Sequence, residues 1–206
     1  MNQRPKTQQK IESRIAAMEG GSAFTASDFM DIADTDAVNK ALSRLSEEGT
    51  IRRVIQGVYD KPEYSALLKA YGSPRVDMVA TALARKFNWT IAPAGDVALN
   101  LLHLSTQVPN HWEYVSDGPV RRYEFNGTTL TFRTIKQREI AGFHTITVMV
   151  IQALRTIGKE QISNRDIQIL RKELSDENKD ILRKEARTVA AWILRIIKDV
   201  CEEETE

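Results

Sequence analysis

Asp34-Thr35-Asp36-Ala37-Val38-Asn39-Lys40-Ala41-Leu42-Ser43-Arg44-Leu45-Ser46-Glu47-Glu48-Gly49-Thr50, followed at once by Ile51-Arg52-Arg53-Val54-Ile55-Gln56-Gly57-Val58-Tyr59-Asp60, decides how the N-terminal part of the chain folds. Val38, Ala41, Leu42 and Leu45 recur at helical spacing, so one stripe of a helix over about Asp36–Glu48 faces a core, and Gly49 supplies its stop. Ile51–Ile55 and Val58–Asp60 flank the Gln56-Gly57 pair, which reads as two short strands around a tight glycine turn. Upstream, Ile11, Ile15 and Met18 mark a helix from about Lys6 to Met18, ended by Gly20-Gly21. Ser22-Ala23-Phe24 is a short extended piece. Thr25 can then cap a brief helix whose third position is Asp28 and whose Phe29 and Ile32 turn inward before it stops near Ala33. Helix, short strand, helix, helix, hairpin is the order of a winged helix-turn-helix, complete between Ser22 and Pro62 once the first helix is added.

Beyond Pro62, the spacing of Tyr64, Leu67, Leu68 and Tyr71 predicts a further helical piece over Glu63–Gly72, and Ser73-Pro74 marks a join. The expected domains are therefore 1–70 and 71–206. In the second, helical patterns cover Val76–Phe87 and Gly95–Leu104. Glu113–Asp117, Arg121–Phe125 and Thr128–Phe132 are strand-like, divided by Asp117-Gly118-Pro119 and by the hairpin signal Asn126-Gly127. Helices are expected over about 145–157, 163–174 and 178–201. The stripe Val189, Ile193, Ile196, Ile197 and Val200 suits either a core or a dimer seam. The fold class is α+β: an N-terminal winged helix-turn-helix domain, then a mixed domain with a small antiparallel sheet and C-terminal helices.

With 42% hydrophobic and 28% charged residues among 206, the composition is that of a chain able to bury a core. Net charge is only +1, and within residues 1–62 nine basic residues meet nine acidic ones. Any affinity for nucleic acid must therefore come from local segregation of Lys and Arg. Cys201 is the single cysteine, which excludes an intrachain disulfide and a cysteine-based zinc cluster, and fits a reducing compartment. Met1-Asn2-Gln3-Arg4-Pro5-Lys6 leads into no apolar h-region, and no stretch approaches the roughly 18 apolar residues of a membrane helix, so a cytoplasmic protein without membrane contact is expected.

The second helix of such a corner is the one that enters a major groove, because one α-helix fits its width. Here that helix offers Thr35, Asn39, Lys40, Ser43 and Arg44. Asn can pair bidentately with adenine and Arg with guanine, whereas Lys and Ser reach phosphates. In the hairpin, Arg52 and Arg53 point to opposite faces and only one should meet DNA, while Gln56 sits at the tip. Arg121, Arg122, Arg133, Lys136 and Arg138 form a second basic cluster, suited to nucleic acid, an acidic partner or a solvated face. No catalytic residue, metal site or cofactor is expected. His103, His111 and His144 lack metal-ligand spacing and no nucleophile signature accompanies them. Cys201 reads as a packing residue, and Trp89, Trp112 and Trp192 as core.

Ala23-Phe24-Thr25-Ala26-Ser27-Asp28-Phe29, Ala37–Leu45, Gly49–Val54 and Gly57–Pro62 resemble the winged-helix N-terminus of AbiEi-like antitoxins of the abortive-infection E class. Ala92-Pro93-Ala94-Gly95, Leu104-Ser105-Thr106-Gln107-Val108-Pro109 and Tyr114–Pro119 extend the resemblance over most of residues 20–140. It implies a type IV toxin–antitoxin role in phage defence: a transcriptional repressor that binds inverted repeats in its own promoter through the winged helix. It also implies neutralisation of a nucleotidyltransferase-type toxin through the C-terminal domain, with or without direct contact. A zero-charge domain further implies a homodimer on paired half-sites of double-stranded operator DNA. The alternative is a protein-interaction module that uses the winged helix as a scaffold without sequence-specific DNA binding.

Overall fold

The computed structural model of the protein describes residues 6–202; Met1-Asn2-Gln3-Arg4-Pro5, where the absent h-region was read, lies outside the described residues. The chain is α+β and divides into two compact units, residues 6–89 with Tyr123–Gly127, and Thr90–Arg122 with 128–202. Among the described residues no helix is long and apolar enough to cross a membrane.

The first unit follows the expected order. α1 (Lys6–Ala16) precedes β1 (Ala23–Phe24), a single 3-10 turn (Ala26–Phe29), α2 (Thr35–Glu47), β2 (Arg52–Ile55) and β3 (Val58–Asp60). The second expected helix is thus only one turn long, because Asp34 ends it by starting the next: its carboxylate accepts from the Ala37 N–H at 2.9 Å. Ile11, Ile15, Phe24, Phe29, Val38, Leu42, Leu45 and Ile51 close one buried cluster, with Phe24 and Phe29 edge-to-face at 5.6 Å. Each such side chain stabilises the unit by roughly 1.5–3 kcal/mol. β3 lies between β1 and β2, antiparallel to both, so the glycine-turned hairpin is anchored to the helical corner through β1.

Glu63–Gly72 is not helical. Tyr64–Ser65 (β4) pairs antiparallel with Ala70–Tyr71 (β5), and Tyr64 and Tyr71 meet edge-to-face at 5.3 Å. The apolar residues have helical spacing but no surface to bury against: Leu67 is 91% exposed and Leu68 74%. The Ser65 hydroxyl accepts from the Leu68 N–H and closes a local turn, the competition with helix that serine offers. Its base is tied by the Gly72 N–H to the Glu63 carbonyl at 2.9 Å.

The compact division falls after Trp89, further along than the expected join near 70. α3 (Val76–Phe87) is the cause. Its Val76, Val79, Ala80 and Leu83 are buried, it packs on β1 and β3, and Arg85 donates to Asp28 at 2.8 Å and to the Ala23 carbonyl at 3.1 Å. Asp28 in turn accepts from the Thr25 N–H at 2.8 Å, so one carboxylate fixes both the turn and α3.

After Trp89 the chain runs through β6 (Ile91–Ala94), α4 (Gly95–Leu101), β7 (His111–Ser116), β8 (Arg121–Phe125, whose Tyr123–Phe125 fall in the first unit) and β9 (Thr128–Thr134), then α5 (Thr145–Ile157), α6 (Asn164–Glu173), α7 (Asp176–Glu185) and α8 (Ala191–Cys201). The sheet order is β6-β7-β9-β8. Within it β6, a strand the sequence reading did not anticipate, is antiparallel to β7, whereas β7 and β9 run parallel from His111↔Thr129 to Ser116↔Thr134, making the sheet mixed. α5 packs on β6 and α4, and Val150, Ile151, Leu154, Leu170, Leu182, Ile193 and Ile197 share one core. The stripe offered as core or seam is therefore core. The single helix expected over 178–201 is broken at residues 186–190, which lets Leu182 and Ile193 enter that core from separate helices. Cys201 is buried there, and burial pushes its thiol pKa up.

Glu185 bridges α7 to the start of α5. Its carboxylate accepts from the His144 N–H at 3.1 Å and from Thr147 Oγ1 at 2.5 Å, and lies 2.6 Å from His144 Nδ1. Burial pushes its pKa up, but the hydrogen bonds from Thr147 and His144 outweigh burial and hold it below the ordinary glutamate range. A depressed carboxyl stabilises the fold above its unfolded pKa and loses that contribution as pH falls through the folded value. Glu185→Gln should therefore lower stability at neutral pH, and the gap from wild type should close on acidification below the ordinary carboxylate range, as read by urea unfolding at several pH values.

Candidate nucleic-acid interface

Strand alternation decides which of the two hairpin arginines is available. Arg52 stands opposite Asp60 across the β2–β3 pair. Its guanidinium donates to both carboxylate oxygens, at 3.1 and 2.5 Å, and to the Gly72 carbonyl at 2.9 Å. Asp60 is fully buried. Arg52, expected among the DNA-binding residues, is thereby committed to the interior. Its partner comes from the neighbouring strand, because the pair faces across the ladder. Arg53, one residue on, points the other way and is exposed.

A groove of about 660 Å³ opens on that outer side. Asn39 and Ser43 reach it from α2, Arg53, Gln56, Gly57 and Tyr59 from the hairpin, and Leu83, Lys86 and Phe87 from α3, with Tyr123 at its edge. Four of the residues singled out in the sequence are brought together here. Lys40 and Arg44 are exposed on the same helix outside the groove, and Thr35 opens that helix with its hydroxyl 3.6 Å from Met30 Sδ. The Ser43 hydroxyl donates to Glu47 at 3.1 Å.

The electrostatics of the unit are resolved by pairing rather than by totals. Arg14 binds Asp31, Arg52 binds Asp60, Arg75 binds Asp77, Arg85 binds Asp28, and Lys61 donates to the Ala16 and Met18 carbonyls. The Arg14 hydrogen bond holds the Asp31 carboxyl below its ordinary range. Among the described residues, the side chains of Asn39, Lys40, Arg44, Arg53 and Gln56 make no hydrogen bond or ion pair within the chain. Within the balance of nine against nine, Asp28, Asp31 and Asp60 are each paired with an arginine, while Asn39, Lys40, Arg44, Arg53 and Gln56 leave unpaired donors along α2 and the hairpin.

The second basic cluster is less coherent. Arg133 is paired with Glu113 and reaches Gln152, Arg121 and Arg122 are adjacent along one strand, and Lys136 and Arg138 lie at the cap and within the short 3-10 turn Gln137–Glu139 after β9. His103 and His144 sit against Glu173 and Glu185. Among the described residues, no group of three or more His, Cys, Asp or Glu is placed to hold a metal. Sequence reasoning passed over Lys86, Phe87 and Tyr123. In α3 only the apolar stripe was informative, and Tyr123 gave no signal that it would border this groove.

Fold and groove together define a two-unit α+β protein whose first unit carries a helix-and-hairpin groove lined in part by unpaired polar and basic side chains. The chain belongs to a family of unknown function, DUF6088, whose model matches residues 10–182. It is also similar to the solved crystal structure of the RV2827C protein from Mycobacterium tuberculosis, at 13% identity and a TM-score of 0.45, over 96% of this chain and 76% of that one. No curated protein matches it.

The different commitments of the two arginines give a direct test. Arg52→Ala leaves the Asp60 carboxylate buried without its partner and should cost roughly 2–4 kcal/mol, the partial exposure of Arg52 softening the full penalty. Arg53→Ala should stay within about 0.5 kcal/mol. Urea unfolding of both variants separates them.

Proposed function

We propose that the chain is an antitoxin and transcriptional autorepressor of a toxin–antitoxin operon. In this reading the first unit is a winged helix-turn-helix, α2 is the helix that enters the major groove, and the β2–β3 hairpin is the wing. The observation that carries it is the row of unpaired donors on α2 and the wing in a unit whose other arginines are neutralised internally. Asn39 offers an amide donor and an amide acceptor that match the adenine edge and Arg44 a fork of donors that matches guanine, while Lys40 and Arg53 suit phosphates and Gln56 the groove beside the wing tip. Because residues 1–62 carry no net charge, a homodimer on the two halves of an inverted repeat supplies the affinity that bulk charge does not.

The toxin role rests on the resemblance to AbiEi-like antitoxins across residues 20–140, which assigns countering of a nucleotidyltransferase-type toxin to the second unit, with or without direct contact. A cytoplasmic, non-catalytic protein of phage defence agrees with the single buried cysteine and the scattered histidines. The alternative, a protein-interaction module in which the winged helix is a scaffold, draws on a different surface: the exposed β4–β5 hairpin with Leu67 and Leu68 at its turn.

A gel shift with the DNA upstream of the coding gene tests the reading. Retarded migration competed poorly by scrambled duplex supports it, and no shift even at low salt contradicts it. Arg44→Ala should relax sequence preference at one base position, removing about 1–3 kcal/mol of discrimination there, measured by competition with single-base operator variants.

A further inference from the structure

We infer that Lys86, which belongs to α3 and lies outside the helix-turn-helix and wing, is a contact to the phosphodiester backbone of duplex DNA at the wing tip, an inference that rests on the DNA-binding reading above. Two neighbouring cations in the last turn of α3 have opposite fates. Arg85 turns inward to Asp28 and the Ala23 carbonyl. Lys86, a helical step of about 100° further round, turns to the wing. Its ammonium lies so close over Gly57 that a Cβ built on that glycine would stand 3.1 Å from Nζ. Gly57 has φ +75, so glycine serves twice here, making the turn and leaving room for the lysine.

Nothing neutralises Lys86. Among the described residues it makes no ion pair, and none of the side chains lining the groove is acidic. It also lies against the ring of Phe87, whose centroid is 5.2 Å from Nζ. Phe87 is itself fixed by stacking on Trp89 at 4.7 Å and 25°. A cation–π contact of this kind orients an ammonium without cancelling its charge, so the group keeps its attraction for an anion. Lys86 shares the groove with Arg53, Gln56 and Asn39, three residues of the proposed reader. A duplex backbone that meets the turn Gln56-Gly57 therefore meets Lys86 as well. The matching ligand is a phosphate rather than a base edge: the ammonium is a point charge with no fork to read a base, and phosphate contacts position without specifying.

The experiment is fluorescence anisotropy of the full chain with two labelled duplexes, one carrying the DNA upstream of the coding gene and one a scramble of the same length, over a series of salt concentrations. Lys86→Gln should weaken binding to both duplexes by a similar factor, about 3- to 10-fold, and make the slope of log affinity against log salt shallower by about 1, while Lys86→Arg keeps the wild-type slope. Unchanged affinity and slope in Lys86→Gln, with Arg53→Gln impaired, overturns the inference and leaves the helix-turn-helix reading standing. A loss confined to the upstream duplex with an unchanged slope also overturns it, since that is the behaviour of a base reader. Absence of wild-type binding to either duplex overturns both.

Discussion

The bidentate pair between Arg52 and buried Asp60 is the constraint on which the rest of the first unit depends. It joins adjacent strands at facing positions, so it fixes their register, and in a strand a one-residue slip would send every side chain to the other face. With Arg52 held inside, Arg53 has to face out. The third guanidinium contact, to the Gly72 carbonyl, also ties the base of the exposed β4–β5 hairpin to the β2–β3 hairpin. Removing one partner of such a pair is far costlier than its net contribution to stability suggests, because the remaining charge stays buried.

The same logic of pairing reconciles a neutral unit with a cationic surface. Asp28, Asp31 and Asp60 each hold an arginine, and Asp28 also organises the turn that precedes α2. Acidic residues that look, in a total, like a case against nucleic-acid binding are instead the groups that rigidify the corner. The cations left over include Lys40 and Arg44 on α2, Arg53 on the outer face of the hairpin and Lys86 at the end of α3. Attraction for a polyanion depends on this uncompensated remainder, which acts over a Debye length of about 8 Å at physiological salt.

Much of this was legible in the sequence where the signal is local. Val38, Ala41, Leu42 and Leu45 placed α2 to within a residue, Gln56-Gly57 placed the hairpin turn, and the stripe of Val76–Phe87 gave α3. Three features were not legible, each for a physical reason. Tyr64, Leu67, Leu68 and Tyr71 have helical spacing, but spacing becomes a helix only when there is something to pack against, and here Ser65 offers a local alternative. The break between α7 and α8 falls directly after Glu185, whose partners His144 and Thr147 are distant in sequence. Lys86 became a candidate only through its placement beside Gly57, a long-range relation that no pattern within α3 announces. Within β2, alternation said that one arginine would face out, and Asp60 determined which.

The most direct measurement is a titration of isotopically labelled protein with the upstream duplex, followed by backbone amide and side-chain NMR shifts. If α2 and the wing read the operator, shifts concentrate at Thr35–Arg44, at Arg53–Gly57 and at Lys86, while the Arg52 guanidinium resonances stay in place. Shifts confined to Arg121, Arg133 and Arg138, or none at stoichiometric duplex, would contradict a DNA-reading role for this surface.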